Sequence, residues 1–496
     1  MTVKEYKAHP GEKVLTINSM NNYIKKVEYA VRGRIAIRAE EIRDELSAGK
    51  KFPFDTVVNC NIGNPQQLNQ KPITFFRQVA SLCENPDLLS DDKAHLVSQL
   101  YPSDAITRAK QLLKDIGPSI GAYSHSQGVP AIRRTVANFL EKRDNSSPAN
   151  INHIYLTQGA SSGVQTILTM LTQDSHSGIM IPIPQYPLYS ATLSLVGATP
   201  VPYYLDERQQ WGLDIEQLTR IVKEARHNGT DVRALVIINP GNPTGQCLTK
   251  ENLTEILTFC YNQQLVLLAD EVYQTNIYTK ERPFISFRKA LLDHPLEHVK
   301  KQVELVSFHS ISKGMVGECG RRGGYFECIN LNQDILDQIY KMASVSLCPN
   351  IHGQILVDLM CHPPQPNDPS YPLYREEYEA IYQSLKRRSQ RLEDAFNAME
   401  GVSCQPAQGS MYLFPTITLP KKAIQEAQRR GLAPDAFYSE EMLEATGVCV
   451  VPGSGFGQVE GTYHFRSTFL PEEHLFDAFC SNIEAFHAKF LNQYKD

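Results

Sequence analysis

The sequence lacks the features that mark a membrane or secreted protein. No apolar run approaches the ~18 residues that a membrane-spanning helix needs, and the first thirteen residues hold no apolar stretch typical of a secretory signal. Its eleven cysteines form no CxxC pair and no Cys/His spacing typical of a zinc site. We therefore expect buried free thiols and a cytoplasmic protein, or one of the mitochondrial matrix if a presequence has been removed.

An excess of charge of one sign is also missing. The chain of 496 residues carries 49 Lys and Arg against 54 Asp and Glu, a net charge of −5. Such a balance gives no support for nucleic acid or an anionic membrane surface as a partner. The 42% of hydrophobic residues suffices for a sizeable core. We expect no metal, nucleic acid or membrane among the binding partners.

Helical stretches alternate with short apolar runs from about residue 100 to 360. The runs include HIYLTQG, GIMIPIP, ALVIINP and LVLLADE. Strand-then-helix alternation with continuous apolar strands predicts a mainly parallel sheet that helices cover on both faces. Ligands bind at the carboxyl ends of the strands in such sheets.

The two ends of the chain do not show the strand–helix alternation of the middle. Residues 23–48 have the pattern of an amphipathic helix, and the proline-rich segment 363–372 reads as a boundary loop. A long helix at about 374–399, short strands and a closing helix at 472–490 follow. We predict an α/β fold with a large domain, a smaller α+β domain and an N-terminal arm and helix that belong to the small domain. The predicted bounds are 56–365, 366–496 and 1–55, respectively.

Lys313 is the first candidate for chemistry. It follows an apolar strand in SFHSISKG, where desolvation can lower the pKa of its amine and make it a nucleophile. Ser310, Ser312 and the arginines of GECGRRGGY supply donors for a phosphate. Together these residues favour a site for a phosphate-anchored aldehyde. The alternative is a solvated lysine in a turn.

Two further motifs end apolar strands with polar side chains. Asp270 in LLADEVY can face a protonated ring nitrogen, and Tyr273 and Asn242 (of NPGNPTG) can bond a ring hydroxyl. The alternatives are a helix cap for Asp270, core packing for Tyr273 and a plain connecting loop for NPGNPTG.

A helix start and an aromatic residue complete the set of candidates. TQGASSG presents Ala160 and Ser161 at a helix start, where free N–H groups bind anions. Tyr186 in IPIPQYPLY follows another strand and can stack on a flat ring, or it can be an ordinary core aromatic.

Taken in this order, the motifs resemble the class I, fold-type I aminotransferases. The resemblance lies in NIGNP, GAYSHSQG, TQGASSG, PQYPLY, NPGNPTG, ADEVY, SISKG, RRGGY and FRSTF, between about residues 55 and 470. VEYAVRG, GECGRRGGY and VVPGSGFGQVEGTYHFR are most similar to the branch that uses alanine. The resemblance implies a homodimer with shared active sites that needs pyridoxal 5′-phosphate (PLP) and exchanges amino groups between amino acids and 2-oxo acids. The expected reaction converts L-alanine and 2-oxoglutarate to pyruvate and L-glutamate in two half-reactions.

The resemblance also implies a role for each matching residue. Lys313 binds PLP covalently and acts with Asp270 and Tyr273 in catalysis. Many relatives have the phosphate-binding arginine eight residues after the lysine, at Arg321, but the R-x-G-Y pattern favours Arg322. The other expected PLP contacts are Asn242, Tyr186, Ala160, Ser161, Ser310 and the other subunit's copy of Tyr123. The expected substrate contacts are Arg466, Gly63 and Asn242.

Other functions stay open at this point. The same motifs support a different class I aminotransferase specificity, or a PLP-dependent lyase that eliminates from the same carbanion. A non-catalytic descendant of the fold usually loses the lysine or the aspartate, and this chain keeps both Lys313 and Asp270.

Overall fold

The structure is a computed structural model that describes residues 13–495 except 14, 30, 32, 118, 146 and 147. Its helices are α1 (Arg34–Ser47), α2 (Thr74–Glu84), α3 (Ala94–Leu100), α4 (Ser103–Ile116), α5 (Pro130–Asp144), α6 (Ala160–Leu171), α7 (Leu188–Val196), α8 (Ile215–His227), α9 (Lys250–Gln263), α10 (Phe287–Leu292), α11 (Glu297–Gln302), α12 (Gln333–Val345), α13 (Ile351–Cys361), α14 (Tyr371–Ala398), α15 (Lys421–Arg429), α16 (Pro434–Thr446) and α17 (Phe476–Gln493). Its strands are β1 (Val58–Asn59), β2 (Ile154–Thr157), β3 (Ser177–Ile183), β4 (Thr199–Tyr204), β5 (Asp231–Ile238), β6 (Val266–Asp270), β7 (Leu305–Ser310), β8 (Gly324–Ile329), β9 (Val402–Ser403), β10 (Tyr412–Leu413), β11 (Thr416–Ile417), β12 (Val448–Cys449), β13 (Val451–Pro452) and β14 (Phe465–Thr468).

A seven-stranded sheet in the order β2-β8-β7-β6-β5-β3-β4 forms the centre of the molecule. All neighbouring pairs from β7 to β4 are parallel, and β8 runs antiparallel to both of its neighbours. Its inner strands are buried along almost their whole length, since helices lie on both faces. The predicted α/β fold with a large, mainly parallel sheet is confirmed.

The carboxyl ends of β5, β6 and β7 gather the predicted polar motifs at one edge of the sheet. β6 ends at Asp270, whose backbone neighbours in the ladder are Ile238 and Phe308. NPGNPTG follows β5 directly, and the SISKG motif begins at the last residue of β7. Parallel strands end at the same edge, so the order of the motifs in the sequence becomes proximity in space.

The C-terminal elements form small sheets around a second apolar core. β14 pairs antiparallel with β10 and β13, and the short β1 pairs parallel with β12. The helix α1 packs against α16, so the N-terminal part of the chain contacts the C-terminal part. Phe396, Phe465 and Tyr438 lie in the core shared by α14, β14 and α16.

One predicted helix begins later than expected. The amphipathic pattern at 23–48 predicts one helix, but α1 starts at Arg34, after the extended Gly33. Before it, a short 3-10 turn spans Ile24–Lys26. Tyr29 and Val31 both line a cavity at the carboxyl edge of the central sheet. Glycine inside a helix costs about 1 kcal/mol relative to alanine, so the helix begins after Gly33 instead of running through it.

All eleven cysteines are free, as the sequence predicts. Among the described residues, no helix combines the length and apolar character that crossing a bilayer requires.

Candidate active site

A cavity of about 410 Å³ lies at the carboxyl edge of the sheet. It brings together side chains from segments that are far apart in the sequence, and almost every predicted site residue lines it. Those residues are Lys313, Asp270, Tyr273, Asn242, Tyr186, Ala160, Ser161, Ser310, Arg322, Gly63 and Arg466. Tyr123 is not among the lining residues and is 78% exposed.

A larger cavity of about 650 Å³ also reaches Lys313. Its walls are mostly apolar and include Phe76, Phe139 and Tyr378. Asp270 and the arginines of the smaller cavity do not line it. The smaller cavity is therefore the candidate active site, because it alone of these two combines an amine, a carboxylate and anion-binding groups.

Lys313 extends its amine into the catalytic cavity. Its Nζ donates a 2.7 Å hydrogen bond to the carbonyl of Gly63. A Cβ added at Gly63 would collide with the hydroxyl of Tyr412 and approach the Lys313 amine. The backbone at Gly63 thus has to come close to the lysine, which only a residue without a side chain allows.

Asp270 is a buried carboxylate at the end of β6. Its Oδ2 accepts a 2.7 Å hydrogen bond from the hydroxyl of Tyr189, and the amide of Val272 lies 3.4 Å from Oδ1. Burial raises the pKa of Asp270 above its ordinary value, and the two hydrogen bonds and the charge of Lys313 oppose that rise. A cation that entered the cavity beside Asp270 would favour its ionised form.

Tyr273 and Asn242 meet in one wall of the cavity. The Asn242 amide nitrogen lies 3.5 Å from the Tyr273 hydroxyl, which in turn lies 3.2 Å from the hydroxyl of Tyr412. Burial raises the pKa of Tyr273, whereas the charges of Lys313 and Arg466 overcome burial and lower the pKa of Tyr412. The sequence analysis did not identify Tyr412.

Arg466 is fully buried at the side of this wall. Its Nη1 donates a 2.9 Å hydrogen bond to Oδ1 of Asn242, and its Nη2 bonds the carbonyl of Asn61. The guanidinium carbon lies 4.1 Å from the ring centre of Tyr412 and 4.8 Å from that of Phe456. Among the described residues its buried Nε has no hydrogen-bond partner, which leaves a donor for a carboxylate.

The other end of the cavity is built for an anion. Arg322 reaches the hydroxyl of Ser312 at 3.3 Å and the carbonyl of Gln158 at 3.1 Å, close to the N-terminus of α6. Gly159 precedes that helix with φ +80°, and a Cβ there would collide with the Arg322 guanidinium. The adjacent Arg321 is exposed and does not line the cavity.

Tyr186 lines the cavity and bonds the N-terminal segment. Its hydroxyl lies 2.6 Å from the hydroxyl of Tyr29, and the two rings meet edge to face with centroids 6.2 Å apart. Burial raises the pKa of Tyr186. The sequence analysis placed Tyr29 on a helix and missed its proximity to the site.

The set of groups fits PLP. Arg322, Ser310 and the free N–H groups of α6 can hold its phosphate, Asp270 can pair with its ring nitrogen, and Lys313 can bond its aldehyde. The unpartnered Nε of Arg466 remains for a substrate carboxylate.

Comparison with known proteins gives one consistent result. Residues 91–483 match the family model of aminotransferase class I and II. The chain is 51% identical over 490 residues to a probable mitochondrial alanine aminotransferase of Dictyostelium discoideum, covering 98% of this chain and 91% of that protein. It is 50% identical over 482 residues to glutamate–glyoxylate aminotransferase 1 of Arabidopsis thaliana, covering 97% and 98%.

A solved structure agrees at the level of the fold. The alanine aminotransferase of Pyrococcus furiosus superposes with a TM-score of 0.72 at 23% identity, covering 95% of this chain and all of that one (100%).

Proposed function

Since the chain belongs to the class I and II aminotransferase family, whose members depend on PLP, we propose that it transfers the amino group of L-alanine to 2-oxoglutarate. The products are pyruvate and L-glutamate. The observation that carries the proposal is one cavity that holds the amine of Lys313, the carboxylate of Asp270 and the guanidinium of Arg466. Relatives named as alanine aminotransferases at about 50% identity support the choice of alanine.

The chain's own groups divide the work between binding and proton transfer. The buried fork of Arg466 binds the substrate α-carboxylate and fixes Cα in the cavity, which is a proximity effect. Lys313 Nζ takes the proton from Cα as general base and then, as general acid, would give it to the carbon that carried the PLP aldehyde, so that the amino group stays with the cofactor. PLP supplies the aldehyde that accepts the amino group and a protonated ring that disperses the electron pair left at Cα.

The remaining cavity residues hold the cofactor in place. Ionised Asp270 would keep the proton on the ring nitrogen, and Tyr273 and Asn242 would bond the phenolic oxygen. Tyr186 would stack on the ring. The phosphate is bound by Arg322, Ser310, Ala160 and Ser161, with Arg322 preferred to Arg321 because only Arg322 lines the cavity.

Product stoichiometry tests the reaction. Purified enzyme with PLP, alanine and 2-oxoglutarate should give pyruvate and glutamate in equal amounts, with parallel lines in the double-reciprocal plots of a ping-pong mechanism. A lyase would release pyruvate without matching glutamate, and that result would refute the proposal.

Glutamate with glyoxylate is the second candidate pair. The glutamate–glyoxylate aminotransferase of Arabidopsis thaliana is as similar to this chain as several alanine aminotransferases are. Measuring kcat/KM for pyruvate, glyoxylate and 2-oxoglutarate as acceptors decides between the two. A higher value for glyoxylate with glutamate than for pyruvate with glutamate would favour the second pair.

We infer a homodimer in which Tyr123 reaches the partner's PLP phosphate. Its exposed ring, 78% accessible, supports a contact outside its own subunit. Val345 and Leu347 are also exposed, at 83% and 51%, and Tyr340 of the same helical region contacts His125 near Tyr123. Mass in solution by light scattering tests the dimer.

We also propose the domain bounds 1–55, 56–365 and 366–496, with the first segment joined to the last. Packing of α1 on α16 supports that assignment. The strand β1 lies just after the first bound and also pairs with β12. For the compartment we propose the cytoplasm, with the mitochondrial matrix as the alternative. Free cysteines suit both compartments, and relatives named as mitochondrial support the alternative. Cell fractionation separates the two.

A further inference from the structure

Among the described residues of this chain, the catalytic cavity has no cation left for the second carboxylate of glutamate. Its described lining contains three basic residues, Lys313, Arg322 and Arg466. Arg322 lies at the phosphate end, and Arg466 is the group for the α-carboxylate. If the proposed function is right, the same cavity must accept the methyl group of alanine and the propionate chain of glutamate.

A buried arginine would be poorly suited to bind the distal carboxylate in a site that must also accept alanine. With alanine bound it would remain unpaired in the cavity, and an unpaired buried charge costs much more than an unpaired neutral donor. A neutral hydroxyl can donate to the distal carboxylate of glutamate. It can bond water instead when the substrate is alanine, whose side chain is a methyl group. Neutral donors in the cavity lining therefore suit the distal carboxylate better.

The hydroxyls of Tyr29 and Tyr186 are such donors. They lie 2.6 Å apart, and both residues line the cavity. One O–H is used in the bond between them, so the pair retains one proton for another acceptor. Burial and the neighbouring Tyr29 raise the pKa of Tyr186, which keeps the Tyr186 hydroxyl protonated and uncharged.

The backbone beside Tyr29 is tied to the α-carboxylate site. Val31 is 1% exposed, and its carbonyl accepts a 3.1 Å hydrogen bond from the side chain of Asn61. The carbonyl of that same Asn61 accepts a hydrogen bond from Arg466. A substrate held by Arg466 thus lies in a cavity whose wall includes the Tyr29 segment.

We propose that Tyr29, supported by Tyr186, binds the distal carboxylate of glutamate and 2-oxoglutarate and so determines the dual specificity. This inference rests on the proposed function. Tyr29 acts as a specificity-determining residue: it donates one hydrogen bond to a dicarboxylate substrate and none to alanine or pyruvate.

The substitution Tyr29→Phe removes the hydroxyl and keeps the ring. The two half-reactions of the PLP-loaded enzyme can be followed separately by the absorbance change in single turnovers. We expect kcat/KM for glutamate and 2-oxoglutarate to fall about 10- to 100-fold, the effect of one hydrogen bond to a charged group. The values for alanine and pyruvate should stay within about twofold. Equal losses in both half-reactions, or no loss in either, would overturn the proposal.

Binding of unreactive acids gives a second readout. Calorimetry on the PLP-loaded enzyme should show that Tyr29→Phe weakens the binding of glutarate and leaves the binding of butyrate unchanged. Tyr23→Phe is the matched control, since Tyr23 belongs to the same segment and packs beside Gly197 instead of lining the cavity. If the wild-type enzyme does not use alanine, the proposed function fails. The comparison of glutarate with butyrate still decides the role of Tyr29.

Discussion

The hydroxyl of Tyr189 donates a 2.7 Å hydrogen bond to Oδ2 of Asp270, and both residues are buried, with Asp270 in the lining of the catalytic cavity. Tyr189 lies on α7, 81 residues before Asp270, and burial raises its own pKa so that it remains a donor. The bond lowers the pKa of Asp270 against the effect of burial. Tyr189 is therefore a positioning residue that keeps the cofactor's carboxylate partner ionised.

The substitution Tyr189→Phe should move the acid limb of the pH–rate profile to higher pH. Without the hydrogen bond the pKa of Asp270 rises further, so the carboxylate becomes neutral at a higher pH as the solution is acidified. We also expect kcat/KM to fall about tenfold, the effect of one lost hydrogen bond to a charged group. Tyr203→Phe is the control, because its equally buried hydroxyl bonds the carbonyl of Val236. An unchanged acid limb would contradict this role for Tyr189.

Lys313→Ala should abolish covalent attachment of PLP. The protein should lose the visible absorbance of the lysine-bound cofactor, and turnover should fall by about 10²- to 10⁴-fold or more, because the proton-transfer group is also removed. The exposed Lys341→Ala is the control for charge. Survival of the absorbance band in Lys313→Ala would show that another amine binds the cofactor.

The adjacent arginines at 321 and 322 allow a matched pair of substitutions. Arg322→Ala should raise the dissociation constant of PLP about 10- to 100-fold, since a charge-assisted contact with the phosphate is lost. Arg321→Ala should change it less than about twofold, because Arg321 is exposed and outside the cavity. Equilibrium dialysis measures both constants. The opposite order would assign the phosphate to Arg321.

The sequence predicts the fold well because its signals are local. Strand-length apolar runs, turn motifs and helix caps each act over a few residues, as in the capping box of Thr249 and Asn252 that starts α9. Each catalytic motif also follows a strand, so the parallel sheet brings Asp270 and Lys313 to one edge. The resemblance to a known family then suggested which side chains face the cavity.

The residues that the sequence analysis missed are joined by long-range contacts. Tyr189 bonds Asp270, Tyr412 bonds Tyr273 across 139 residues, and Tyr29 bonds Tyr186 across 157. An aromatic residue in an apolar run has the pattern of core packing, and no local period indicates which hydroxyl meets a catalytic group. The start of α1 lies directly after Gly33, whose extended backbone the amphipathic pattern does not indicate.

Glu271, next to Asp270 in the sequence, faces away from the cavity into a buried charged cluster. It is 1% exposed, and its Oε1 accepts a 2.7 Å hydrogen bond from the amide of Phe287. Burial raises its pKa from the ordinary 4.5 to about 7, and the positive charge of Arg143 opposes the rise. The folded protein therefore holds a proton on Glu271 at pH values where the unfolded chain has released it.

This proton makes stability depend on pH with a definite sign. Between pH 4.5 and 7 the folded state binds the extra proton, so the free energy of unfolding should fall as the pH rises, by up to about 3 kcal/mol from this group. Glu271→Gln keeps an oxygen for the Phe287 amide and cannot ionise. It should therefore remove the part of the decrease in unfolding free energy that comes from Glu271. Urea unfolding at pH 5 and pH 8 measures the difference, with the exposed Glu224→Gln as control. If the variant loses as much stability as the wild type between these pH values, Glu271 is ionised at both, and Arg143 compensates its charge more strongly than burial penalises it.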